Sequence, residues 1–283
     1  IIEGMPQGKA LDLAESAPVV PFDARCTGAN GYDGVAGADL VVITAGLARK
    51  PGMSRDDLLR KNAEIVGGVV DEVHRRAPEA VLIVVSNPLD VMTWHVRART
   101  RKPAARVIGM AGVLDTARYR AFLAEAAGVS VRDVQAMVLG GHGDDMVPLA
   151  RSASIGGIPL SAWLPRDRIE QIVARTRDGG AEIVSLLKTG SAFYAPSAAV
   201  TEMAAAILLD QKRVLPCCTF PDGAYGFRDV CVGLPVVLGA GGVERIVEVP
   251  LDPAEREALA RSAAYVREGI RALDGATAGA ARG

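Results

Sequence analysis

Ala38-Asp39-Leu40-Val41-Val42-Ile43-Thr44-Ala45-Gly46 and Ala80-Val81-Leu82-Ile83-Val84-Val85-Ser86-Asn87-Pro88 decide the fold of this 283-residue chain. Each is a strand-length apolar run, rich in β-branched residues, that stops at a loop of small or polar residues. An amphipathic helix pattern fills residues 56–76 between them. Strands that are apolar throughout need cover on both faces, and strands separated by helices pair in parallel. The two runs therefore predict an α/β sheet with helices on either side. Ligands of such sheets sit beyond the carboxyl ends of the strands, which points to residues 46–55 and 86–88 as the place for a site.

Working outward, a shorter strand is expected at 106–110, a helix at 115–127, and a strand at 134–139 that runs into Gly140-Gly141-His142-Gly143-Asp144. The pattern then changes. A Gly/Pro-rich stretch, Gly156-Gly157-Ile158-Pro159, precedes helices at 167–187 and 197–209. Residues 230–238 and 243–249 read as a hairpin around Gly239-Ala240-Gly241-Gly242, and a last helix at 253–273 leads to a frayed tail from Ala276 to Gly283. The change of pattern places a domain boundary near Gly112, giving domains 1–112 and 113–283.

Bulk properties exclude several classes. Hydrophobic residues make up 49% and charged residues 23%, enough for two cores. Lys and Arg number 32 against 33 Asp and Glu, so the broad positive field that draws nucleic acid is missing. The apolar runs fall well short of a membrane span. Cys26, Cys217, Cys218 and Cys231 form neither a CxxC pair nor a disulfide framework, and read as reduced, buried thiols in a cytoplasmic protein.

The chemistry concentrates in a few residues. His142 is one of three histidines, and it follows Leu114-Asp115-Thr116-Ala117-Arg118 at a distance that lets carboxylate, guanidinium and imidazole meet. An imidazole of near-neutral pKa can protonate a carbonyl oxygen, a buried aspartate can hold its tautomer, and arginines can grip carboxylates through paired hydrogen bonds. With Arg49 and Arg55 the set suits reduction of an anionic 2-keto acid. His74 and His95 lie in helical patterns beside Arg75 and Trp94, as structural or solvated residues. Asp144 and Asp145 next to a single histidine lack metal-ligand geometry, so no metal is expected.

In its motifs the chain resembles the lactate/malate dehydrogenase superfamily, and within it the lactate-dehydrogenase-like malate dehydrogenases. Residues 48–58 (Ala-Arg-Lys-Pro-Gly-Met-Ser-Arg-Asp-Asp-Leu) match the substrate loop, and Val85-Ser86-Asn87-Pro88-Leu89-Asp90 the nicotinamide-side loop. Leu114 to Arg118 match the carboxylate clamp, and Gly141-His142-Gly143-Asp144 the catalytic histidine. The resemblance implies a Rossmann-type domain, lacking its N-terminal part, followed by an α+β substrate domain. It also implies His142 as acid and base with Asp115 as partner, Arg118 on the carboxylate next to the reacting carbon, and Arg55 on the carbonyl. Asn87 would hydrogen-bond substrate beside the nicotinamide, while Asn62 and the backbone of Val85, Ser86 and Asn87 would touch the cofactor. Arg49, six residues before Arg55, stands where the family carries arginine for a dicarboxylate, so malate and oxaloacetate are the implied substrates. NAD is the family's usual cofactor, and a homo-oligomer, dimer or tetramer, is implied, with helices near 54–76 and 167–187 as contact surfaces.

One family feature is missing. The chain opens at Ile1-Ile2-Glu3-Gly4, which in the family follows the acidic ribose-binding residue, and no Gly-x-Gly-x-x-Gly precedes it. The expectation is that roughly 35 residues of the complete βαβ unit lie upstream. Two alternatives stay open: a lactate-type or broader 2-hydroxyacid dehydrogenase, and an inactive fragment that keeps only subunit contacts.

Overall fold

The computed structural model describes residues 2–47 and 54–280, with the side chains of residues 55 and 276–280 left aside. Helix α1 (Met5–Ser16) buries none of its residues and was not foreseen from sequence. Next come strand β1 (Leu40–Ile43), helix α2 (Arg55–Arg76), β2 (Val81–Val84), α3 (Leu89–Thr100), β3 (Val107–Gly109) and α4 (Gly112–Ala127). Five short strands follow: β4 (Val134–Gln135), β5 (Val138–Leu139), β6 (Val147–Pro148), β7 (Ser154–Ile155) and β8 (Ile158–Pro159). Helices α5 (Arg166–Leu187) and α6 (Tyr194–Leu208), strands β9 (Arg213–Thr219), β10 (Val232–Gly239) and β11 (Gly242–Ile246), and helix α7 (Pro253–Ala280) complete the chain.

Three parallel strands and an antiparallel extension make one six-stranded sheet, in the order β1-β2-β3-β9-β10-β11. Leu40 to Ile43 lie opposite Val81 to Val84, and Leu82 to Val84 opposite Val107 to Gly109. Every residue of β2 is buried, as an apolar run flanked by strands requires. β1 differs: among the described residues it pairs only with β2, and Val42 is exposed. Helices α2, α3 and α7 cover one face, where Leu82, Val84, Met92, Val96 and Ile270 pack together. α4 and α6 cover the other, where Ile83, Ile108, Met203 and Leu238 do. Burying side chains of this size contributes about 1.5 to 3 kcal/mol each.

Local sequence explains the helix that leads from the site. Ser54 caps α2, its Oγ accepting the Asp57 amide at 3.0 Å, and Asp56 and Asp57 in the first turn with Arg75 and Arg76 in the last complement the helix dipole. Leu59, Ala63, Val66, Val70 and Val73 then bury one stripe at helical spacing.

The structure corrects the sequence expectations for residues 134–139 and for the last helix, and gives the Gly/Pro-rich stretch its form. Residues 134–139 form two strands in separate small sheets: Val134 faces Ile155, while Val138 faces Pro148. The Gly156-Gly157 stretch is the turn joining β7 to β8, with φ of 57° and 79°, values that glycine adopts freely. Helix α7 continues to Ala280, past both Leu273 and the start of the expected tail. The hairpin is present as β10 and β11, yet its partner β9 was missed because Pro216 interrupts the run. Pro216 sits opposite Pro235, whose carbonyl takes the Val247 amide at 2.8 Å on the other side, so no N–H is required between the two prolines. The four cysteines are free and three are buried; Cys26 is half-buried.

Candidate active site

The loop after β5 carries His142 and is fastened residue by residue. Gly140 and Gly233 of β10 exchange backbone hydrogen bonds of 2.9 and 3.0 Å. The Gly141 amide donates to Ser262 Oγ of α7 at 2.7 Å, and the His142 amide to Asp90 Oδ2 of α3 at 2.8 Å. The imidazole Nδ1 then meets Asp115 Oδ2, on the first turn of α4, at 2.9 Å. A carboxylate only accepts, so Nδ1 carries the proton of this bond and Nε2 is left for substrate.

Asp115 is 2% exposed and divides its oxygens, Oδ1 accepting from Arg118 Nη1 at 3.2 Å. Burial disfavours a charged His142, but the Asp115 carboxylate, through charge and hydrogen bond, with Asp90 adding to it, raises the imidazole above its ordinary value. Arg118 lies against Gly179 of α5, where a Cβ would approach its Cδ to 3.1 Å. Its Nε is buried without an acceptor, a donor disposed to take a carboxylate oxygen. A cleft of about 480 Å³ reaches His142 between Pro88, Leu89, Leu59 and Val266.

The sequence-chosen residues fare differently. His142, Asp115 and Arg118 come together. Arg49 lies outside the described residues, and so does the side chain of Arg55, whose backbone opens α2. Asn87 is exposed at the carboxyl end of β2. Asn62 is 1% exposed, its Oδ1 accepts the Leu47 amide at 2.7 Å, and its Nδ2 donates to the Leu47 and Asn87 carbonyls at 3.2 and 2.7 Å. It ties the two strand-end loops together. Ser86 is likewise buried, donating to the Ala45 carbonyl, and the Val85 amide is spent on Ile43 at 2.9 Å. His74 and His95 do not line the His142 cleft.

Asp90, Ser262 and the pair Gly179-Gly180 are the residues that sequence reasoning passed over. The glycine pair did carry a signal, since each glycine inside a helix costs about 1 kcal/mol and calls for a packing reason. Beside the strand ends, a second cleft of about 530 Å³ is walled by Tyr32, Leu47, Ile65 and Val69, with Lys61 at its edge. Leu47 there is 41% exposed, and Glu64 lines the same cleft as Lys61.

Comparison with known proteins agrees with this arrangement. Residues 1–109 match the family model of the lactate/malate dehydrogenase NAD binding domain, and residues 112–274 that of the alpha/beta C-terminal domain. The chain belongs to the lactate/malate dehydrogenase family, a class of NAD-dependent oxidoreductases. Within that class, the malate dehydrogenase of Chloroherpeton thalassium is 57% identical over 268 residues, 95% of this chain and 86% of the relative. The solved malate dehydrogenase of Salinibacter ruber superposes with a TM-score of 0.93 at 52% identity, covering 97% of this chain and 87% of the other. A Cryptosporidium parvum lactate dehydrogenase, solved with lactic acid and nicotinamide adenine dinucleotide, also gives 0.93, at 42% identity over 97% of this chain and 88% of its own.

Proposed function

We propose that the chain catalyses the reversible NAD-dependent oxidation of malate to oxaloacetate, with His142 as the acid and base. The observation that carries this reading is the bond between His142 Nδ1 and Asp115 Oδ2 at 2.9 Å, which leaves Nε2 outside that bond, with Arg118 on the other oxygen of the same carboxylate at 3.2 Å. When bound, NAD supplies the hydride acceptor at the carboxyl ends of β1 and β2. His142 Nε2 takes the hydroxyl proton of malate, and in the reverse direction returns it to the carbonyl oxygen of oxaloacetate. Asp115 holds the imidazole and favours its charged form. Arg118 grips the carboxylate next to the reacting carbon, Arg55 polarises the carbonyl, Arg49 takes the second carboxylate, and Asn87 hydrogen-bonds substrate beside the nicotinamide.

The same reading makes the protein a homo-oligomer. Leu186 and Leu187 at the end of α5, and Phe193 and Tyr194 at the start of α6, are exposed in one short stretch, as a subunit contact requires. It also sets the protein in the cytoplasm, where Cys217, Cys218 and Cys231 stay thiols.

The test is oxaloacetate-dependent oxidation of NADH, with pyruvate as comparison substrate. Turnover of oxaloacetate well above pyruvate is expected, and His142→Asn is expected to abolish it while NADH still binds. Turnover of pyruvate alone would assign the chain to the lactate side of the family, and retained turnover in His142→Asn would remove that residue from its role.

A further inference from the structure

Asp90 is the second residue of α3, and its carboxylate reaches the backbone of the histidine loop. Oδ2 accepts the His142 amide at 2.8 Å; Oδ1 is buried and has no hydrogen-bond partner. The residue is 5% exposed, the Cys218 thiol lies beside its carboxylate, and Cys231 Sγ donates to its backbone carbonyl at 2.8 Å. Fastening one backbone amide does not need a charge. A neutral amide or hydroxyl oxygen would accept the same N–H without leaving a carboxylate oxygen dry, and a buried charge with an unpaired oxygen weighs against folding. Ser262 shows the neutral solution one residue earlier, taking the Gly141 amide at 2.7 Å from a fully buried position.

We infer that Asp90 is a positioning residue for the reaction: it fixes His142 through the backbone and supplies, next to that backbone, a second negative charge that stabilises the protonated form. The inference rests on His142 being the proton carrier. Asp115 at Nδ1 is the first such charge, and Arg118, bonded to Asp115, opposes both. Asp56 of α2, Asp144 and Asp145 of the loop itself and Glu268 of α7 also face this cleft, but all four are exposed and screened by water. Asp90 is the buried one. Its desolvation raises its own pKa, with the His142 amide, the Cys218 thiol and a charged His142 opposing and Asp115 adding to the rise.

The experiment is the pH dependence of kcat/KM for malate oxidation in the full chain with NAD, comparing the native protein, Asp90→Asn and Ser262→Ala. Malate oxidation needs neutral His142, so the rate rises with pH through the imidazole pKa. Asp90→Asn keeps an acceptor for the amide and removes the charge; its inflection is expected roughly one pH unit lower than native. Ser262→Ala frees the neighbouring amide without changing charge, and is expected to lower kcat several-fold with the inflection in place. An inflection that stays or rises in Asp90→Asn overturns the inference, as does an equal shift in Ser262→Ala, which would trace the effect to a loosened loop. Should the amide variant not fold, Asp90→Ser, also uncharged, gives the same reading. His142→Asn, run alongside, separates the two levels: turnover retained there sinks the proposed function, whereas an unmoved Asp90→Asn inflection with His142→Asn inactive sinks only the role of Asp90.

Discussion

Gly140 and Gly233 lie backbone against backbone, each amide donating to the other's carbonyl, and a Cβ on Gly233 would sit 2.4 Å from the Gly140 oxygen. This contact joins the histidine loop to β10 of the main sheet. Gly233→Ala is therefore expected to push the loop off the sheet, at a cost of about 2 to 4 kcal/mol in stability. Turnover should fall with it, because Gly141 and His142 follow immediately. Thermal unfolding and kcat measured on the same preparation check this; an alanine variant with native Tm and native kcat would show that the contact is not needed.

Asp115 serves both His142 and Arg118, so Asp115→Asn removes the main influence that holds the imidazole pKa up against burial. The sign is clear for each direction of the reaction. Malate oxidation needs the neutral ring, and its inflection should move to lower pH; oxaloacetate reduction needs the protonated ring, and should be lost at lower pH than in the native protein. Turnover is expected to drop by roughly 100-fold or more, since the ring also loses its orienting partner. pH profiles in both directions provide the check, and inflections that remain native would place the source of the raised pKa elsewhere.

The sequence made the parallel strands and the separate site motifs readable for one reason: each is local. β1, β2 and α2 are continuous patterns, and Asp115 with Arg118 are three apart on one helix. What fastens the site is not local. Asp90 and Ser262 reach the histidine loop from 52 and 121 residues away, and no periodicity announces which buried polar side chain of a helix will do so. β9 escaped because its proline reads as a break until its partner proline is known. For Asn62 the sequence suggests a cofactor contact from type and place, and does not reveal the hydrogen bonds its side chain makes to Leu47 and Asn87.

The tie that Asn62 makes between the two loops has a measurable outcome. Asn62→Ala deletes three hydrogen bonds that link Leu47, after β1, to Asn87, after β2, and leaves their backbone groups without these partners. A loss of roughly 2 to 4 kcal/mol in unfolding free energy is expected, by denaturant titration. NADH should bind more weakly as the two loops separate. Weakened binding with unchanged stability would instead return Asn62 to direct cofactor contact.

The role proposed for Arg49 makes a prediction about the choice of substrate. A guanidinium that meets the second carboxylate of oxaloacetate is left uncompensated in a closed site when pyruvate binds, and breaking such a pair costs roughly 3 to 5 kcal/mol. Arg49→Gln keeps a polar side chain of similar reach and removes the charge, so the penalty against pyruvate should largely vanish while oxaloacetate loses its partner. The expected result is a fall of about 100-fold or more in the ratio of kcat/KM for oxaloacetate to that for pyruvate, most of it from weaker use of oxaloacetate. Arg118→Gln, by contrast, should damage both substrates together, since both present the carboxylate next to the reacting carbon. An Arg49→Gln protein with its native preference would move the discrimination to another residue.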